Sequence, residues 1–133
     1  MYELRPIGRV RSPLTDPATA PKQGDEEAPD ATVEFDEAVL TGLADLRAGT
    51  DVILLTWLDR ADRDVLAVHP RDDPARPLTG VFSTRSADRP NPVGLHRVHV
   101  LAVDGPRLAV RGLEALDGTP VIDLKPVLGD SDR

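Results

Sequence analysis

The chain has 133 residues, a formal net charge of −7 and no cysteine. That length holds one real core, and the acidic balance leaves any contact with phosphates to a local basic patch. Without thiols, a disulfide framework, thiolate catalysis and thiolate metal sites are excluded. The single Trp, single Tyr and two Phe leave the core to Val, Leu, Ile and Ala, and weaken any case for stacking bases on aromatic platforms. The first residues, Met1–Pro6, lack a basic start followed by an apolar run. No apolar stretch approaches the length of a membrane span. The expected location is cytoplasmic.

Residues 2–11 read as a short first strand carrying Ile7 and Val10, with Pro6 and Gly8 arguing against a central position. Residues 12–31 hold four prolines and few apolar groups, and read as a long irregular loop. Within it Lys22 and Gln23 stand between Pro21 and Gly24, on backbone stiff enough to present them to a ligand. Residues 32–35 read as a strand. Asp36 follows as a helix N-cap, and Val39, Leu40, Leu43, Ala44 and Leu46 form an apolar stripe at helical spacing that stops at Gly49.

Residues 51–58 are the most apolar run, and predict a central strand buried on both faces. A charged turn over 59–64 and a strand over 65–68 come next. Residues 79–96 then form a dense polar loop, with Arg85 and Arg89 four apart and Asn91 wedged between Pro90 and Pro92. The prolines restrict themselves and the residues before them, so two guanidinium groups and one amide are held at small entropic cost. Such a loop suits binding. The plainer reading, of equal weight on spacing alone, is a structural loop whose arginines cap carbonyls and whose Asn91 makes a turn.

Residues 93–103 read as a long strand whose His96 and His99, an odd number apart, face opposite ways and do not form a metal pair. Asp104-Gly105 signals a hairpin. Residues 107–113 alternate, Asp117-Gly118-Thr119-Pro120 is a tight turn, and residues 121–125 are the last strand, with a polar tail over 129–133. Asp123 and Lys125 share one face of that strand. They either line a pocket or form a surface ion pair worth little. About seven short strands joined by turns, with one short helix, predict a mainly β, antiparallel sandwich or barrel in a single domain over 1–133, not a doubly wound sheet. No dinucleotide fingerprint or P-loop can be written.

Four separated segments, residues 6–13, 21–23, 80–95 and 116–126, together resemble the TsaA-like (TrmO-type) family of S-adenosylmethionine-dependent methyltransferases. The Arg85-x-x-x-Arg89-Pro-Asn-Pro-Val-Gly-Leu95 run and the Asp117-Gly-Thr-Pro120 run carry the resemblance. It implies a single-sheet antiparallel β-barrel distinct from the Rossmann methyltransferases. It also implies a homodimer with the cofactor near the subunit interface, and N6-methylation of threonylcarbamoyladenosine in the tRNA anticodon loop. Position by position, it implies cofactor contacts at Pro21, Lys22, Gln23, Leu58, Asp59, Arg85, Leu95, Asp117, Gly118, Thr119 and Pro120. Arg89 and Asn91 fall on substrate-side positions, and Asp117, Asp123 and Lys125 on candidate catalytic ones; no metal is implied. The chain departs from the family pattern at Lys22, Asp59, His96 and Val127. Two other readings stand beside this one: a same-fold methyltransferase of small metabolites, and a non-catalytic cofactor-binding module. A basic stripe gathered from Arg9, Arg11, Arg85, Arg89, Arg97 and Arg111 would favour RNA, and dispersed arginines a small acceptor.

Overall fold

The computed structural model describes residues 1–16 and 30–129. Six strands close into one antiparallel barrel in the order β1 (Gly8–Arg11), β2 (Ala31–Phe35), β7 (Arg107–Arg111), β6 (Val93–Asp104), β3 (Asp51–Trp57), β8 (Pro120–Pro126), with β8 returning to β1. Two further strands, β4 (Ala67–Val68) and β5 (Thr79–Gly80), form a small separate sheet. The layout is the single-sheet barrel that the motif resemblance implies, and it has no Rossmann-like element order.

A closed barrel has one interior, and this corrects the central strand. In β3 only Val52, Leu54 and Thr56 are buried, while Asp51, Ile53, Leu55 and Trp57 are half-exposed on the outer face. The apolar run is therefore a one-sided strand whose outer face is apolar as well. Val33, Leu108, Val110, Val98 and Val100 fill the interior beside Leu54. Gly8 allows β1 to lie close against β2, since a Cβ there would meet the Glu34 carbonyl oxygen at 2.6 Å.

The predicted helix is a 3-10 helix over Glu37–Leu43. Val39 and Thr41 are β-branched and Gly42 is permissive, so the segment lacks the propensity for longer α-helix. Only Leu43 is buried from it, and Asp36 makes no side-chain cap hydrogen bond. The first strand is shorter than predicted, with Met1–Pro6 exposed, and the strand expected over 65–68 shrinks to Ala67–Val68. The Asp104-Gly105 turn forms as its residues predict, with Gly105 at φ 55°. A register shift opposite Leu55 and Thr56 turns both Val121 and Leu124 toward the core and leaves Asp123 and Lys125 on the outside.

Candidate functional site

The topology sends the motifs to one end of the barrel. β3 ends there at Trp57, β6 begins there at Val93, β8 begins at Pro120 and β1 ends at Arg11. The long connections 12–30, 58–92 and 112–119 all leave from this end. Leu58, Asp59, Arg85 and Asp117–Pro120 lie on those connections or at their junctions with strands.

The Asp117-Gly-Thr-Pro120 turn is clamped by the segment leaving β1. The Asp117 N–H donates to the Leu14 carbonyl at 2.7 Å, and the Gly118 N–H to the Val10 carbonyl at 2.8 Å. The Ser12 N–H donates to Asp117 Oδ1 at 3.1 Å, and Arg9 donates to the Gly118 carbonyl at 3.1 Å. Gly118 sits at φ 83°, a conformation that favours glycine. Asp117 stays exposed, with Oδ2 unengaged among the described residues. Pro21, Lys22 and Gln23 lie outside the described residues. Arg60 donates to the Thr15 carbonyl at 3.2 Å, joining the turn after β3 to the same segment.

The 81–92 loop is organised from within. Arg89 turns inward and donates to the carbonyls of Ser86, Val81 and Thr84 at 2.7, 2.8 and 2.6 Å. Arg63, from the charged turn, donates to the Pro90 carbonyl at 2.6 Å and to Asn91 Oδ1 at 3.0 Å, and stacks 5.1 Å over Trp57. For Arg89 and Asn91, then, the loop has the carbonyl-capping and turn-making roles that spacing alone left open; the Val93 N–H donating to the Asn91 carbonyl at 2.7 Å closes that turn. Arg85 differs. It is exposed, and among the described residues it has no hydrogen-bond or ion-pair partner.

Leu95 points outward from β6, pairs with Leu55 of β3, and is 47% exposed. Asp123 lies on the far side of Leu55, so Leu95, Leu55 and Asp123 form one outer row. Asp123 is fully engaged: Oδ2 meets Lys125 Nζ at 2.9 Å and Oδ1 accepts the Leu124 N–H at 2.9 Å. The two histidines face opposite ways as alternation requires. His99 points out to Asp51 at 2.8 Å. Hydrogen bonds from His99, and secondarily from Arg97, hold the Asp51 carboxyl below its ordinary value. His96 points in, 5% exposed, with Nδ1 2.6 Å from Glu114 Oε1 and Nε2 2.6 Å from Thr56 Oγ1.

Sequence reasoning missed Arg63, Thr56 and Glu114. Thr56 and His96 are 40 positions apart and His96 and Glu114 are 18 apart, so no local pattern announces them. No group of three His, Asp or Glu among the described residues is placed to hold a metal ion, and none of their helices is long and apolar enough to cross a membrane.

A closed antiparallel barrel whose motif-bearing connections 58–92 and 112–119 leave from one mouth defines a class of β-barrel domain distinct from the doubly wound Rossmann folds. More narrowly, the chain belongs to the family of the tRNA-methyltransferase O N-terminal domain, whose model matches residues 9–133. It is 45% identical, over 95% of its length, to a probable S-adenosyl-L-methionine-binding protein of Archaeoglobus fulgidus, and spans 34% of that protein. A probable S-adenosyl-L-methionine-binding protein of Methanothermobacter thermautotrophicus is 44% identical over 97% of this chain and 92% of its own. Among solved structures, TrmO from Pseudomonas aeruginosa superimposes with a TM-score of 0.76 at 28% identity, over 99% of this chain and 58% of that one.

Proposed function

We propose that this domain is an S-adenosylmethionine-dependent methyltransferase that methylates N6 of threonylcarbamoyladenosine in tRNA. The observation that carries the reading is that the connections bearing Leu58, Asp59, Arg85 and Asp117–Pro120 all leave from one barrel mouth. The donor set there fits the cofactor. Arg85 is a cation with no partner among the described residues and suits a carboxylate, Asp59 and Asp117 suit its positive groups, and Leu58 and Leu95 offer apolar surface to its base.

When bound, the cofactor supplies an electrophilic methyl group on a sulfonium. The protein's part is to bind, orient and accept a proton, because in-line transfer to nitrogen is mainly a problem of positioning. The acceptor nitrogen is a weak nucleophile until its proton is drawn off. Asp117 is better placed to take that proton than Asp123, since one Asp117 oxygen is unengaged among the described residues whereas both Asp123 oxygens are occupied by Lys125 and the Leu124 amide. Arg89 and Asn91 shape the loop that presents Arg85. The domain works as a homodimer: Val93 and Leu95, 41% and 47% exposed on the outer face of β6, and Phe82, 80% exposed three residues before Arg85, offer apolar surface to a second copy.

One observation favours a small acceptor instead. The arginines do not gather into a stripe: Arg9 is bound to the Gly118 carbonyl, Arg11 pairs with Glu34, Arg97 with Asp51 and Arg111 with Asp30. Calorimetric titration with S-adenosylmethionine and S-adenosylhomocysteine tests the cofactor. Saturable binding that Arg85→Ala abolishes supports it, and no binding at millimolar ligand removes it. Mass-shift assays with threonylcarbamoyladenosine-bearing tRNA then separate the two acceptors; no methylated tRNA from cofactor-binding protein leaves the small-acceptor reading.

A further inference from the structure

Thr56, His96 and Glu114 form a hydrogen-bonded chain under the barrel mouth that the proposed chemistry does not use. Thr56 is fully buried on β3, His96 is buried on β6, and the Glu114 side chain, on the 112–119 connection, is 16% exposed. A carboxylate oxygen can only accept, so Nδ1 of His96 carries the hydrogen toward Glu114. In the neutral ring Nε2 is then the acceptor, and the Thr56 hydroxyl donates to it. Gly94 makes room for the chain: a Cβ at that position would meet both Thr56 Oγ1 and His96 Nε2. The resemblance to a hydroxyl–imidazole–carboxylate triad goes no further than its order, because the hydroxyl is sealed inside the barrel.

Each member stands beside a site residue. Thr56 is two residues before Leu58, His96 follows Leu95 directly, and Glu114 is three before Asp117. Leu113 and Ala115 flank Glu114 and are buried, so the connection can be seated only in one depth and one orientation. We propose that His96 is a positioning residue: its two ring nitrogens tie β3 and β6 to the 112–119 connection, so that the Asp117–Pro120 turn is held at a fixed place over the mouth. Its effect on ligand rests on the methyltransferase reading above; its effect on the turn does not.

The test is hydrogen exchange of backbone amides together with S-adenosylhomocysteine titration, on the parent, Glu114→Ala, Glu114→Gln and Thr56→Val. In Glu114→Ala, exchange at Gly118 and Thr119 is expected to rise about tenfold, with a similar fall in affinity, while Leu108 and Val110 in β7 stay protected. Thr56→Val, which keeps the volume and removes the donor, is expected to act in the same direction. Glu114→Gln, whose side-chain carbonyl still accepts from Nδ1–H, restores parental values. Unchanged exchange at Gly118 and Thr119, or a rise spread equally over β7, overturns the proposal, as does failure of Glu114→Gln to rescue. A parent that binds no S-adenosylhomocysteine but shows the expected exchange pattern removes the methyltransferase reading and leaves the positioning role standing.

Discussion

The two ends of the barrel are built differently. At one end β6 and β7 are joined by the Asp104-Gly105 hairpin, and the β2–β3 connection runs through a 3-10 helix that tucks Leu43 under the sheet. At the other end three long connections meet, two of them pinned to each other by the Asp117 amide on the Leu14 carbonyl. The first end closes with a hairpin turn and backbone bonds, such as the Asp36 N–H to the Ile7 carbonyl and the Gly49 N–H to the Val100 carbonyl. The second is organised by side chains reaching across the sequence, among them Arg63 and His96. Tight turns close a barrel with little exposed polar backbone, whereas long connections leave a mouth whose shape can be set independently of the strands. Stability should therefore be lost most readily through the shared interior, and binding most selectively through the mouth.

The largest effect expected is in that interior. Leu108→Ala removes a side chain with no solvent exposure and should lower unfolding free energy by about 2–5 kcal/mol in urea denaturation. A smaller loss would mean that the mouth relaxes to fill the space, and would weaken the contrast between a fixed interior and an adjustable end. Gly94→Ala comes next, at roughly 1–3 kcal/mol, because the added methyl overpacks Thr56 and His96; thermal denaturation reads it directly.

Arg85→Ala should separate the two properties. S-adenosylmethionine affinity should fall at least about tenfold, with unfolding changed by less than about 0.5 kcal/mol because the side chain has no described partner. Lost stability in that variant would show Arg85 to be one more structural arginine, like Arg89. The smallest effect belongs to the opposite end. The Asp51 carboxyl is held below its ordinary value of 3.8 by His99 and then Arg97. A depressed carboxyl stabilises the fold above its unfolded value, and the contribution is lost as pH falls through the folded one. At this half-exposed site Asp51→Asn should cost less than about 1 kcal/mol at neutral pH. The difference from the parent should close in acid; a gap that stays constant with pH would mean that packing, not charge, holds this row.

Much of this was legible in the residues themselves. Alternation along 93–103 put His96 and His99 on opposite faces, and Asp104-Gly105 announced its hairpin, because both depend on neighbours two or fewer positions apart. The motif runs around Arg85 and Asp117 marked the regions that the barrel gathers at one mouth. The short apolar run over 51–58 misled, since hydrophobicity on both faces reads alike in a doubly covered sheet and in a barrel strand whose outer face is apolar. The predicted helix forms, but as a 3-10 helix: an apolar stripe tells which residues seek the core, while seven residues with β-branching and glycine do not sustain an α-helix.

The sequence by itself determined the antiparallel strand order of turns, the absence of thiol chemistry and the motif segments, all of which are local or compositional. Tertiary structure alone decided that Arg89 turns inward while Arg85 has no partner among the described residues, that Arg63 supports Asn91, and that Thr56, His96 and Glu114 meet beneath the mouth. The reason is separation along the chain: Arg63 and Asn91 are 28 positions apart, Thr56 and His96 40, His96 and Glu114 18, and partners chosen by strand pairing and loop path leave no periodic trace.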